Sequence, residues 1–323
     1  MSARLDAVVV GCGRIGSGYD LDREGEPPLS HAGAYQAHDG TRLCAGVDPD
    51  PSARARFEAR WGVPAYERLE DALDSIRPSL VSICTPPEER IEPLELTLQR
   101  GVEAIWIEKP LAASSDAGRA IVETADRADV PLQVNFHRRF DPAHRRVAEL
   151  LGADPGPIHA DMRFSGSLMN FGSHAFDLFR WLVGEPSRVT ALALADREPL
   201  AFVETREGST GTFCQVPIDG VTIFDADFLT SRRRVTLGAV GEQHLEAPVA
   251  ESSLFRGALR HEYRTRHHDG IRGAMVAAVD SLVSAAAGES PLCEGRDGLA
   301  SLRLVEAVVE AAESSSSVEL VSA

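Results

Sequence analysis

The stretch "VVVGCGRIG" (residues 8–16) runs an apolar segment straight into glycines spaced G-x-G-x-x-G. An apolar strand that breaks into such a turn and continues as a helix is the first unit of a doubly wound parallel sheet. Gly11 permits the tight bend, Gly13 lets the backbone come close to a pyrophosphate, and Gly16 lets helix pack on strand. The helix N-terminus behind them offers free N–H groups to an anion. Cys12, Arg14 and Ile15 fill the turn, so residues 11–16 are the expected cradle of a dinucleotide.

The spacing beyond the turn is unusual. In a dinucleotide fold an acidic residue follows the last glycine by about 20 positions, at the end of the second strand. Asp48 ends "LCAGVD" but lies 32 residues after Gly16, which is about 12 too many. The polar segment 17–29 supplies the excess, ending in Pro27-Pro28 before Ser30, which can cap a helix resumed at His31. We read 17–29 as an insertion in an otherwise ordinary turn. Asp48 would accept hydrogen bonds from the adenosine ribose hydroxyls, and its charge would repel a 2′-phosphate. Pro49 stands where an NADP site more often has Arg or Ser. The expected cofactor is NAD in preference to NADP.

Short apolar runs recur at 7–10, 43–47, 80–84, 102–107 and 131–135, with helix-like segments at 51–60, 68–75, 88–100 and 114–128 between them. That alternation predicts a parallel sheet covered on both faces. Asp50 or Pro51 can open the second helix, and Ser114 or Ser115 can cap the last. From about 150 onward, β-rich runs at 158–165, 188–195, 200–205, 209–216, 222–230 and 233–239 read as an antiparallel sheet, followed by helices at 271–287 and 295–313. The 323 residues suffice for two domains, and 43% hydrophobic residues supply a substantial core. A net charge of −16 argues against a nucleic-acid partner or a basic lipid-facing surface. The N-terminal apolar run is too short for a signal peptide, and no run is long enough to span a membrane. Cys12, Cys44, Cys84, Cys214 and Cys293 form no C-x-x-C pair and read as small buried hydrophobes of a cytoplasmic chain.

Further pieces stand in a telling order: "CTPP" (84–87), "IEKP" (107–110), "VNFHRRFDP" (134–142), "MNFGSHAFDLFRWLVGEP" (169–186) and the closing segment 293–320. Together they resemble the Gfo/Idh/MocA oxidoreductase family over nearly the whole chain. The resemblance implies an α/β protein with an N-terminal Rossmann domain, residues 1–136. Residues 137–323 would form an α/β substrate domain with a large open, mostly antiparallel sheet. That sheet would serve as the face of a homodimer or homotetramer, and the final helix would pack back on the first domain. It also implies oxidation or reduction of a carbinol on a sugar, cyclitol or sugar derivative.

By this resemblance Lys109 touches the reacting oxygen. Oxidising a secondary alcohol needs a hydride acceptor and a proton acceptor together. A lysine beside a cationic nicotinamide in a cleft has its charged form disfavoured and can serve as the base. Pro110 restricts Lys109 to an extended backbone, and the resemblance implies a cis bond there. Glu108 is expected as a positioning contact to the cofactor, and Thr85, Pro86 and Pro87 along the nicotinamide side. The family's D-x-G-x-H-x-x-D is here Asn170, Gly172, His174 and Asp177. His174 is the second catalytic candidate, with a titration range suited to proton transfer. Asn170 can bond a substrate hydroxyl but carries no charge, which weakens a three-residue relay. Asp177 reads equally as substrate contact or as helix N-terminal electrostatics. His137 and one of Arg138 and Arg139 are expected toward the substrate, or the segment reads as a hinge with a solvated arginine pair.

Two segments remain. The insertion, through Tyr19 and its carboxylates, reads as a lid selecting a polar, cationic substrate such as an aminosugar of the kind antibiotic pathways modify, or as a tolerated surface loop. The basic stretch 256–272 could hold an anionic group such as a nucleotide diphosphate, but reads more readily as a face toward an acidic neighbouring subunit. His267 and His268 lack partners at metal spacing, so no metal site is expected. Three function classes follow: an NAD-dependent sugar, aminosugar or cyclitol dehydrogenase, favoured; a ketoreductase on a nucleotide-linked keto sugar; and a non-catalytic cofactor-binding regulator. Lys109 and His174 together speak against the last.

Overall fold

A computed structural model describes residues 4–262, 265–268 and 270–320, with only the backbone for 265–268. The chain divides into two compact units. The first runs up to Asp141 and includes Arg272–Leu299; the second is Pro142–Ile271 with the chain from Ala300 on.

In the first unit the strands are β1 (Leu5–Val10), β2 (Thr41–Val47), β3 (Ala65–Tyr66), β4 (Leu80–Ile83), β5 (Ala104–Ile107) and β6 (Leu132–Val134). They lie in the order β3-β2-β1-β4-β5-β6, all parallel. This is the dinucleotide-binding order, with the strand direction reversing its progress beside β1. Both faces are covered, so β4 and β5 are buried at every position; β5 reads as a continuous apolar run, and β4 as one broken only by Ser82. The helices that cover the sheet begin where the sequence supplies caps. In α2 (Pro51–Trp61) the Asp50 side chain accepts from Ser52 N–H, and Gly62 closes the helix at φ +68°. In α5 (Ser115–Ala128) the cap is Ser114, which accepts from Ala117 N–H.

The first helix is interrupted. After Gly13 the chain makes one helical turn, with Ser17 N–H donating to Gly13 O at 3.0 Å. It then departs and returns at α1 (His31–Ala37). There His31 N–H donates to Ile15 O at 3.0 Å and Ala32 N–H to Gly16 O at 2.9 Å. Each bond reaches back sixteen residues, where an unbroken α-helix reaches back four. Twelve residues therefore leave and rejoin the helix without changing its phase.

The last strand of this sheet is completed from far along the chain. Val134 N–H donates to Cys293 O, and Gln133 Nε2 donates to Ala278 O of α8 (Ala274–Ala286).

The second unit is built on ten strands. Six of them, β7 (His159–Phe164), β8 (Pro186–Leu194), β9 (Arg197–Thr205), β10 (Thr210–Gln215), β11 (Phe224–Leu229) and β12 (Arg233–Gly238), fall on the six β-rich runs. β13 (Gln243–Glu251), β14 (Leu259–His261) and β15 (Thr265–His268) extend one edge, and β16 (Val318–Glu319) closes the other. Neighbours are antiparallel except β7 and β10. In β7 exposed and buried residues alternate strictly, the mark of a sheet buried on one face. That face packs on α7 (Ser173–Leu182) and on the second-unit part of α9 (Gly295–Ser314). Phe213 sits at its centre, 4.6 Å from Phe176 and 5.7 Å from Phe179 between ring centroids. Gly211 is obligatory beside them, since a Cβ there would stand 2.6 Å from the Phe179 ring. Among the described residues, no helix is long and apolar enough to cross a membrane.

Gly16 is the tightest point of the first unit: a Cβ there would collide with the Gly11 carbonyl oxygen. Gly16→Ala is expected to lower stability by about 1–3 kcal/mol, read as a fall in Tm. An unchanged Tm would show that the turn has room.

Candidate active site

The parallel register lines up the residues that follow each strand. Val10 pairs with Val47 and Ile83, Ile83 with Ile107, and Ile107 with Val134. The next residues, Asp48, Gly11, Cys84, Glu108 and Asn135, therefore form a row along the carboxyl edge of the sheet. In open α/β sheets ligands bind at this edge.

At the β1–β2 end the row is set by backbone hydrogen bonds. Gly11, at φ +90°, donates its N–H to Val47 O at 2.8 Å. Cys12 N–H donates to Asp48 Oδ2 at 2.8 Å, and Asp50 N–H to Asp48 Oδ1 at 2.9 Å. Asp48 is thus held against the glycine turn with a second lone pair on each oxygen left for further donors. The Cys12 thiol is pushed up to about 12 by burial and by Asp48, so it stays protonated. Nothing lies within 4 Å of where a Cβ on Gly13 would stand. An open backbone surface beside a fixed carboxylate suits a pyrophosphate and a ribose, so these residues fit NAD. Arg14 lies over the Tyr19 ring at 5.0 Å, and both are exposed.

At the β4–β5 end one buried side chain organises two turns. Arg90 donates from Nε to Thr85 O at 3.1 Å, from Nη1 to the carbonyl oxygens of Glu108 and Pro110, and from Nη2 to Lys109 O at 3.5 Å. It clasps the turn that carries Thr85, Pro86 and Pro87 to the turn that carries Glu108 and Lys109. The Lys109–Pro110 bond is cis. Burial brings the Arg90 guanidinium down to about 10, against the pull of Glu108. Burial also lowers the Lys109 ammonium; Glu108 opposes this, while Arg138 and Arg90 add to it.

Glu108 turns both oxygens to protein donors. Oε1 takes Asn135 Nδ2 at 2.5 Å and faces His31 Nε2 at 2.9 Å, and Oε2 takes Lys109 N–H at 3.2 Å. Burial pushes this carboxyl up, but His31, Asn135 and Lys109 outweigh burial and hold it below the usual range. Arg138 and Arg139 follow Asn135 in a short turn at His137–Arg139, both buried. Arg139 pairs with Asp297 at 3.1 Å, while the charge of Arg138 bears on Lys109.

In the second unit, Asn170, His174 and Asp177 occupy one continuous segment. A π-helical turn, Leu168–Gly172, leads directly into α7. Such turns are rare and often mark functional sites. Ser167 caps the turn, accepting from Asn170 N–H at 3.2 Å, and Ser173 Oγ donates to Asn170 O at 3.0 Å. Asn170 is exposed; His174 and Asp177 are buried one helical turn apart. The His174 ring meets Phe224 edge to face at 6.3 Å. The side chains of His267 and His268 lie outside the described residues, as do Tyr263, Arg264 and Asp269 of the basic stretch.

Sequence reasoning missed two residues here. Arg90 binds only carbonyl oxygens, which leave no side-chain pattern to read. His31 is visible as a helix start, but nothing local says that its ring meets Glu108, 77 residues away.

A G-x-G-x-x-G turn, a carboxylate held against it and a half-buried lysine at the carboxyl edge of a parallel sheet fit one class: an NAD-dependent oxidoreductase acting on CH–OH groups. The comparisons agree. The family profile for Gfo/Idh/MocA, described as an oxidoreductase family with an NAD-binding Rossmann fold, matches residues 5–136. Inositol 2-dehydrogenase of Rhizobium meliloti (strain 1021) is 25% identical over 93% of this chain and 94% of its own. Two solved structures share the fold. UDP-N-acetylglucosamine 3-dehydrogenase GnnA from Acidithiobacillus ferrooxidans has a TM-score of 0.80 at 20% identity, covering 96% of this chain and 98% of its own. GenD2 from gentamicin A biosynthesis, in complex with NAD, has a TM-score of 0.77 at 21% identity, covering 100% and 98%. Residues 5–136 match the Gfo/Idh/MocA oxidoreductase family, and over nearly its whole length the chain is similar to inositol 2-dehydrogenase.

Asp48→Asn should weaken NAD binding by about tenfold to a hundredfold, the worth of a hydrogen bond to a charged group, and narrow the preference over NADP. Titration of both cofactors by fluorescence checks this. Undiminished NAD affinity would remove Asp48 from the site.

Proposed function

We propose that this chain oxidises a secondary hydroxyl of a sugar, aminosugar or cyclitol, with Lys109 as the proton-handling group. The observation that carries the reading is the placement of Lys109. It stands half-buried at the carboxyl end of β5, its ammonium destabilised by burial and by two arginines, beside one ionised carboxylate. NAD supplies the hydride acceptor. Lys109 in its neutral form takes the hydroxyl proton as the hydride departs, and returns it when the reaction runs as a reduction. His174 is the second candidate for that proton. Asn170 and Asp177 are candidates for the neighbouring substrate hydroxyls, as are Arg138, His137 and Tyr19. Asn170 offers both a donor and an acceptor without charge, which suits a neutral hydroxyl. Exposed Leu192, Leu200 and Phe202, on the paired strands β8 and β9, support association of copies through this sheet as a dimer or tetramer.

A second reading is reduction of a keto sugar linked to a nucleotide. It is supported by Arg256 and Arg260, both exposed near β14, and by the substrate named for GnnA. The two readings differ in whether a free or a nucleotide-linked sugar turns over.

The test is NADH formation over a panel of sugars, aminosugars, cyclitols, aminoglycosides and nucleotide sugars. With the responding substrate, Lys109→Ala should lose about 10²–10⁴-fold in kcat while still binding NAD. Because the neutral lysine is the base, kcat for oxidation should rise with pH through the Lys109 titration. Its midpoint should lie below about 10.4, the value of a free lysine. Full turnover in Lys109→Ala would overturn the assignment.

A further inference from the structure

The insertion ends on a chain of contacts that leads under Lys109. Asp20 is its one inward carboxylate, 3% exposed. Its Oδ1 accepts Leu29 N–H at 3.0 Å; its Oδ2 accepts Ser30 N–H at 2.8 Å and Ser30 Oγ at 2.5 Å. Gly33 leaves room for that carboxylate, which a Cβ would strike. Ser30 Oγ in turn accepts Gly33 N–H at 3.1 Å and caps α1. The first residue of α1 is His31, fully buried, its ring stacked on Trp106 at 3.8 Å.

The hydrogens around His31 can be assigned. Ser82 Oγ lies 2.9 Å from His31 Nδ1 and 2.8 Å from Tyr35 OH. If Tyr35 donates to Ser82 and Ser82 donates to Nδ1, Nε2–H is left to donate to Glu108 and every hydrogen has an acceptor. A doubly protonated ring would leave either the Ser82 or the Tyr35 hydrogen buried without an acceptor. Nε2–H is therefore the donor to Glu108, whose carboxylate stands beside Lys109.

We propose that His31 is a positioning residue for the reaction: through its Nε2–H bond to Glu108 it fixes the carboxylate that holds the Lys109 backbone and balances the Lys109 charge. The proposal rests on the reading of Lys109 given above. The charged and titratable groups that bear on this carboxylate are Lys109 beside it, His31 from α1, Cys84 at the end of β4 and Arg90 at the start of the helix Ile91–Leu98; Arg138, beyond β6, bears on Lys109. Asn135 and, behind it, Met275 of α8 complete the surround without charge.

The test uses His31→Leu, His31→Gln and Glu108→Gln in the full-length protein, with pH profiles of kcat. Glu108→Gln removes the counter-charge of Lys109, so the midpoint should move to lower pH. His31→Leu makes the carboxylate harder to keep ionised. It should move the midpoint the same way, by less, and lower kcat about ten- to a hundredfold with little change in KM for NAD. Gln can place an amide N–H where Nε2 stood, so His31→Gln should bring the midpoint back. The shift caused by His31→Leu should vanish in the Glu108→Gln background. A midpoint unmoved by His31→Leu, or a shift that persists with Glu108→Gln, overturns the proposal. Should His31→Leu fail to fold, His31→Phe, which keeps a ring against Trp106 but offers no donor, takes its place: an unmoved midpoint, or a shift that persists with Glu108→Gln, overturns the proposal. Lys109→Ala run alongside separates the two readings, since full turnover there dismisses Lys109 whatever His31 does.

Discussion

A negative charge that water does not reach must be met by the protein, and at the carboxyl end of β5 that charge is Glu108. An unpartnered buried carboxylate would neutralise or destabilise the fold. Here it receives Asn135 and Lys109 N–H and faces His31. These groups come from three separate segments of the chain, and each needs its own support. Ser82 and Tyr35 orient the histidine. Arg90 fixes the carbonyl oxygens on either side of Lys109. The polar arrangement at the end of β5 is thus a consequence of one buried ion, and the lysine inherits both its position and its electrostatic surroundings from it.

The proposed chemistry gives that arrangement its use. A dehydrogenase acting on CH–OH groups must hold a base near neutrality where water is scarce. Burial alone would depress a lysine, and a carboxylate alone would raise it. In this chain the two act together, with Arg90 and Arg138 on the side of burial, so the balance is adjustable through residues that need not touch a substrate.

Much of this was readable beforehand, for identifiable reasons. Strands buried on both faces, such as β5, leave unbroken apolar runs, and caps such as Asp50 and Ser114 announce their helices by residue type. The family motifs follow strand ends, where register places them in one row. What was not readable has equally definite causes. β13 carries Pro248 and two glutamates without clean alternation, so its pairing comes from its neighbours and not from its pattern. The helix Pro142–Gly152 had the signal of an acidic residue before a first-turn proline and was passed over inside a motif. Asp20 looks like one more surface carboxylate among several in 17–29. Only the return of the chain to Ser30 turns it inward.

The phase-preserving return of that chain has a further consequence. A helix that closes its hydrogen bonds across a gap, Ile15 to His31 and Gly16 to Ala32, is mechanically indifferent to what fills the gap. The excursion behaves as a cassette seated on two fixed studs, Asp20 and Ser30. Its outer part, from Asp22 to Glu26, can vary in length and charge without transmitting strain to the glycine turn beneath. A lineage could therefore rewrite the rim of this protein while its glycine turn and the histidine beside Glu108 stayed where they are.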